Sequence, residues 1–230
     1  MLSKAKTQTI QAKDNRVVQT NGLDRTSDQR WSWIWKHMLP PGKGKGTVLD
    51  AGCGEHVWSA SDYAEVIRAD NWQKYADRAT RMPNNIFQQD LCEEPWGIKD
   101  NSFDGVVAVD VIEHVENIWA FFRQAFRVSR RFVVIATPNV HSPLSKALYE
   151  RNGRFWAFTP GEVKKSVHVT PVFDWQLVEA ARRAGWVVKA RHYTHEPYKA
   201  LKAIPPNLHK IAKQAPNQRS VIVKFTPRPT

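Results

Sequence analysis

A chain of 230 residues, 42% hydrophobic and holding 10 Trp, 10 Phe and 5 Tyr, is long enough to bury a substantial core. No apolar run approaches the ~20 residues of a membrane span. Met1 to Lys6 lack the apolar centre of a secretory leader, and two cysteines, Cys53 and Cys92, make neither a disulfide framework nor a four-thiolate metal module. With a mean hydropathy of −0.52, a protein of the reducing cytoplasm is expected. Basic residues number 34 against 22 acidic ones, a net charge of +12, and the excess is uneven. Residues 1–46 carry 9 basic and 3 acidic side chains, 47–137 carry 9 and 14, and 138–230 carry 16 and 5. An acidic middle between basic ends suits a cationic ligand at the centre and an anionic partner at the flanks, although lysine-rich surfaces also serve solubility alone.

Residues 1–26 are polar and aperiodic, as expected of a flexible N-terminal tail or a loosely docked arm. Residues 27–230 read as a single domain. Trp31, Ile34, Trp35 and Met38 follow helical spacing behind Ser27 or Asp28 as N-cap, and Pro40-Pro41 stop that helix. Gly42–Gly46 is a connector and not a phosphate loop, since no Gly-Lys-Ser/Thr follows at the required spacing. Strands are expected at Thr47–Asp50, Glu65–Asp70, Phe103–Val109, Arg131–Thr137, Trp186–Tyr193 and Ser220–Phe225, and helices at Val115–Val128 and Asp174–Ala184, the latter closed by Gly185. Such alternation predicts an α/β, doubly wound, mostly parallel sheet. Two long excursions, 138–172 and 196–218, break the rhythm, and excursions of this length carry function or are disordered.

The first strand ends in Asp50-Ala51-Gly52-Cys53-Gly54. Glycines at the carboxyl end of a first parallel strand let a ligand approach the backbone. Asp50 would repel a pyrophosphate but attract an ammonium group, and Val57 stands where a dinucleotide fingerprint wants Gly or Ala, so a cationic adenosyl ligand fits better than NAD. This stretch resembles the first motif of class I S-adenosylmethionine-dependent methyltransferases, and the likeness runs in order over residues 47–140. It continues through Asp70 at the end of the second strand, through Asp90 in Gln89-Asp90-Leu91, and through Asn101-Ser102-Phe103-Asp104-Gly105 leading to Asp110-Val111-Ile112-Glu113-His114, which is similar to the fourth-strand motif of the family's small-molecule branch. Thr137-Pro138-Asn139 is also familiar there.

The resemblance implies a Rossmann-like, seven-stranded sheet with an antiparallel final strand and S-adenosyl-L-methionine as methyl donor. It implies cofactor contacts from Asp50, Gly52, Gly54, Asp70, Asp90 and Asp110, with Asp70 on the ribose hydroxyls and Asp90 on the adenine amino group. Two departures from the family pattern stand out: only 16 residues separate Gly54 from Asp70, and His56 replaces a third glycine. Taken singly, each acidic residue also has a plain structural role as a turn or cap former.

The catalytic residues are unassigned; His114 and His168 are the candidates, His168 because Ser166–Pro171 resembles a His-x-Thr-Pro segment of related methyltransferases that act in glycan or secondary-metabolite pathways. His192 and His195 sit three apart on an expected strand and have no accompanying ligand set, so no metal site is read. The expected acceptor is a small molecule or glycan, anionic to suit the basic ends. A nucleic-acid substrate also suits them but is not favoured: no binding module and no Asn/Asp-Pro-Pro-Tyr/Phe tetrapeptide is present. A catalytically idle interaction module and an NAD-dependent oxidoreductase are the remaining alternatives.

Overall fold

The computed structural model describes residues 23–24, 34, 46–54, 56–57, 65–70, 86–195, 206–208, 210 and 218–229. Seven strands form one sheet: β1 (Thr47–Ala51), β2 (Glu65–Asp70), β3 (Ile86–Gln88), β4 (Phe103–Val109), β5 (Ser129–Pro138), β6 (Trp186–His195) and β7 (Gln218–Pro227). Their order across the sheet is β3-β2-β1-β4-β5-β7-β6. The first five are parallel, and β7 runs antiparallel to both β5 and β6. This is the expected α/β architecture, antiparallel final strand included. β3 escapes the sequence pattern because three residues are too few to display an alternation.

Side chains of the central strands part by parity. Leu49, Val106, Ala108, Val133, Ile135 and Val223 face one core, where α1 (Ile118–Val128) lays down Phe121, Phe122 and Phe126. Val48, Val107, Val109, Phe132, Val134 and Ile222 face a second core that also receives Ile34. Burial on both faces is why these strands read as continuous apolar runs. α1 begins later than its apolar spacing suggests, because Asn117 accepts a hydrogen bond from the Ala120 amide at 3.1 Å and caps it, while Ile112–His114 form a separate 3-10 turn. Gly185, at φ +73°, ends α4 (Asp174–Arg183) as anticipated.

Two acidic residues, Asp104 and Glu94, brace the scaffold. Asp104 accepts the Thr47 amide at 2.9 Å and pairs with Arg130 at 3.1 Å, fastening the start of β1 to β4. Before β4, Arg127 donates to the carbonyls of Ile98 and Trp96, while Arg123 and Gln124 hold Glu94, so α1 staples the loop that follows β3. The hydrogen bond from Arg123 lowers the Glu94 carboxyl from 4.5 to about 2. A depressed native pKa stabilises the fold above the unfolded value and ceases to do so as the group protonates. The acid loss of stability between pH 4.5 and about 2 should therefore shrink in Glu94→Gln, read by thermal melts across that range at low salt.

The excursion after β5 holds two helices, α2 (Pro143–Asn152) and α3 (Pro160–Ser166), with a 3-10 turn at Trp156–Phe158 between them. Of the second excursion the 3-10 turn Pro206–Leu208 is described, and Asn207 accepts from Arg151 of α2 at 2.5 Å. Leu23–Asp24, from the expected tail, pair in parallel with His56–Val57. The expected helix around Trp31–Met38 and the first helix after Gly54 lie outside the described residues, Ile34 excepted. Among the described residues, no helix is long and apolar enough to cross a membrane.

Candidate active site

The order of strand addition reverses between β1 and β4: strands are added outward through β2 and β3 on one side and through β4 and β5 on the other. In open α/β sheets the crevice outside the carboxyl ends at such a reversal is where ligands bind. The parallel run puts the tips of β3, β2, β1 and β4 on one edge, and with them Asp90, Asp70, the Asp50–Gly54 turn and Asp110.

Asp50 is fully buried in β1. After it the chain turns sharply: the amides of Gly52 and Cys53 both donate to the Ala69 carbonyl, at 2.8 and 3.3 Å, tying the turn to the end of β2. Gly52 and Gly54 adopt φ +78° and +54°. A Cβ on Gly52 would strike both methyls of Val111, so the β1 turn and the chain leaving β4 touch backbone to side chain with no room for another atom. Asp110 takes φ +55°, a left-handed conformation that costs a non-glycine residue ~1–2 kcal/mol, with its amide fixed to the Ala136 carbonyl at 2.9 Å. A strained, half-buried carboxylate at a strand tip is the kind of feature that functional sites retain. Asp90 accepts the Cys92 amide at 2.9 Å through Oδ1, so one oxygen of this residue serves its own turn, as the plain structural reading allowed.

The first excursion folds back onto the 3-10 turn. The amides of Val169 and Thr170 donate to the Glu113 carbonyl at 2.9 and 3.0 Å, and the Thr170 hydroxyl donates to the Val115 carbonyl at 2.7 Å. This brings the rings of His114 and His168, distant in sequence, to 4.7 Å in an edge-to-face arrangement. Each ring anchors Nδ1 on a backbone carbonyl: His114 on Val167 at 3.3 Å and His168 on Ala157 at 2.8 Å. Carbonyls only accept, so each Nδ1 carries the hydrogen and Nε2 of a neutral ring keeps its lone pair. Burial, reinforced by the neighbouring His168, lowers the His114 pKa below 6.5.

His141 makes its ring contact with Phe173 instead, at 5.8 Å. Sequence reasoning quoted Glu113 within a motif but gave it no role in this cluster. Glu113 is fully buried, and its Oε2 accepts from the Thr137 hydroxyl at 3.1 Å. The adjacency Glu113-His114 was the available signal. Val140, Ala157 and Phe158, with Phe155, Trp156 and Phe173 packed on them, form an aromatic wall beside it, and Lys164 and Lys165 stand exposed on α3.

The profile of the methyltransferase-domain family matches residues 24–195, and the chain belongs to that family. A search of the curated proteins gives no significant match. Among solved structures, a candidate methyltransferase from Bacillus halodurans C-125 superposes with a TM-score of 0.60 at 14% identity, over 88% of this chain and 100% of that one. An S-adenosylmethionine-dependent methyltransferase from Mesorhizobium loti gives 0.55 at 16% identity, over 87% and 98%. Magnesium protoporphyrin IX methyltransferase of Synechocystis PCC 6803, solved with S-adenosylhomocysteine, gives 0.52 at 17% identity, over 88% and 82%. At such identities the likeness is one of fold.

Proposed function

We propose that this methyltransferase takes S-adenosylmethionine as its donor and methylates an anionic small molecule or glycan. The observation that carries the donor assignment is the alignment of four consecutive strand tips along one edge, with a buried carboxylate, a glycine turn closed to any side chain, and a left-handed aspartate meeting where β1 and β4 adjoin. The donor supplies a methyl group made electrophilic by a sulfonium.

The chain's residues fit such a molecule. Asp50 supplies negative charge for the ammonium, directly or through water. The Gly52–Gly54 backbone gives the amino-acid arm close approach. Asp70, at the end of β2, accepts the ribose hydroxyls, and Asp90, after β3, stands beside the adenine. Asp110 borders the crevice from the β4 side. The basic character of residues 138–230 and the exposed Lys164 and Lys165 favour an anionic acceptor, and the aromatic wall favours one with a ring or other flat apolar face.

In the transfer, an acceptor lone pair forms a bond to the methyl carbon as the carbon–sulfur bond breaks and its electron pair returns to sulfur. The proton of a hydroxyl acceptor passes to solvent water. His114 and His168, each with its Nδ1 hydrogen held by a backbone carbonyl, are the groups through which the acceptor is engaged. Calorimetry with S-adenosylhomocysteine tests the donor site. Loss of two charge-assisted hydrogen bonds at Asp70→Ala should weaken affinity on the order of a hundredfold. Wild-type affinity in that variant, or tighter binding of NADH than of S-adenosylhomocysteine by the unaltered protein, overturns the assignment.

A further inference from the structure

One nitrogen from each of His114 and His168 and one carboxylate oxygen of Glu113 lie within 4.8 Å of one another. Two imidazoles and a carboxylate converging from different parts of the chain form the donor set of a divalent transition-metal site, with room for exogenous ligands. The surroundings have the form that metal sites use. Each histidine ties its Nδ1 hydrogen to a backbone carbonyl, which fixes the tautomer and presents Nε2 as ligand, and the Thr137 hydroxyl orients the carboxylate by donating to Glu113 Oε2.

We infer that Glu113, His114 and His168 bind one divalent first-row transition ion at the acceptor end of the crevice. The observed spread of ligand atoms is wider than the ~3–3.4 Å between neighbouring ligands at bond lengths of ~2.1 Å. Binding therefore draws the three side chains inward, while the backbone around His168 stays tied to the 3-10 turn through the Val169 and Thr170 amides.

Three protein ligands leave coordination positions for water or substrate, which is the pattern of a catalytic rather than a structural site. This deepens the proposed function and rests on it for its chemical meaning: the ion would bind the acceptor oxygen, lower its pKa so that its proton passes to solvent water, and present the alkoxide or phenolate to the methyl group. The acceptor class becomes an oxygen nucleophile, and the negative charge of the deprotonated oxygen is held by the ion.

The test uses tag-free, chelator-treated full-length protein, titrated with Zn²⁺ by calorimetry and with Co²⁺ by visible absorption, alongside S-adenosylhomocysteine on the same preparation. The expected result is one ion per chain, a cobalt spectrum typical of nitrogen–oxygen coordination, and a rise in melting temperature with Zn²⁺. His168→Ala should lose at least tenfold in ion affinity and lose the zinc-dependent rise in melting temperature, while His192→Ala keeps both. Glu113→Gln should behave as His168→Ala does. Because Glu113 is buried, its metal-free melt is compared first, and His168→Ala carries the decision if Glu113→Gln is unfolded. Absence of stoichiometric binding, or equal binding by His168→Ala, overturns the metal site. Ion binding without S-adenosylhomocysteine binding upholds the metal site and instead overturns the donor assignment.

Discussion

Gly52→Val should abolish binding of S-adenosylhomocysteine while leaving far-UV dichroism close to that of the unaltered chain. At φ +78° a β-branched residue meets the left-handed penalty of ~1–2 kcal/mol, and its Cβ would occupy the space filled by the Val111 methyls, the nearer clash being with Cγ2 and the second at 2.9 Å with Cγ1. Neither neighbour can yield cheaply. The turn is held to the Ala69 carbonyl by two amides, and Val111 precedes the 3-10 turn that carries Glu113 and His114. The strain is relieved by pushing the β1 turn away from the β4 tip, which opens the cradle where the donor's amino-acid arm would lie. Calorimetry decides the matter: retained affinity in a folded Gly52→Val protein would mean that the donor does not lie along this turn.

Gly105→Ala should be the most destabilising single methyl in the sheet, costing about 3 kcal/mol by chemical denaturation. Gly105 of β4 stands directly opposite Phe132 of β5 in register, and the Phe132 ring lies across the glycine so closely that a Cβ there would overlap ring atoms. Phe132 is itself fully buried in the second core with Val107 and Val134. A smaller side chain at position 132 removes the obstruction. In a Phe132→Leu background the same Gly105→Ala change should cost less than half as much, a non-additivity that a double-mutant cycle reads directly. Equal cost in both backgrounds would place the strain elsewhere.

Local pattern carried the centre of this molecule a long way. β1, β4 and β5 announce themselves as apolar runs because both faces of the sheet are covered there, and the tight turn after β1 is legible in the spacing of Gly52 and Gly54. The excursion was harder to read. Ser142-Pro143 and Thr159-Pro160 are N-cap and first-turn pairs that start α2 and α3, with the Ser145 and Glu162 amides donating to the cap hydroxyls at 3.2 and 3.4 Å. α2 buries only Leu144, Ser145 and Leu148, too narrow a stripe to stand out as periodicity. The His114–His168 pair was out of reach for a different reason. It depends on the Val169 and Thr170 amides finding the Glu113 carbonyl across a long stretch of chain, a tertiary event that no window of neighbouring residues encodes. Asp104 shows the converse: an aspartate inside a recognisable motif whose bonds to Thr47 and Arg130 are architectural.

The position of β7 has a bearing on how the protein is made. β6 meets the rest of the sheet through β7, a strand that follows it in the chain, and β5 also gains its outer neighbour only from β7. A nascent polypeptide emerging from the ribosome with residues before 218 complete would therefore display β5 as a long, apolar, unpaired rim, with β6 waiting beside it. Such rims template aggregation, so this chain is at its most vulnerable late in synthesis, and that is the interval in which a chaperone would have the most to protect.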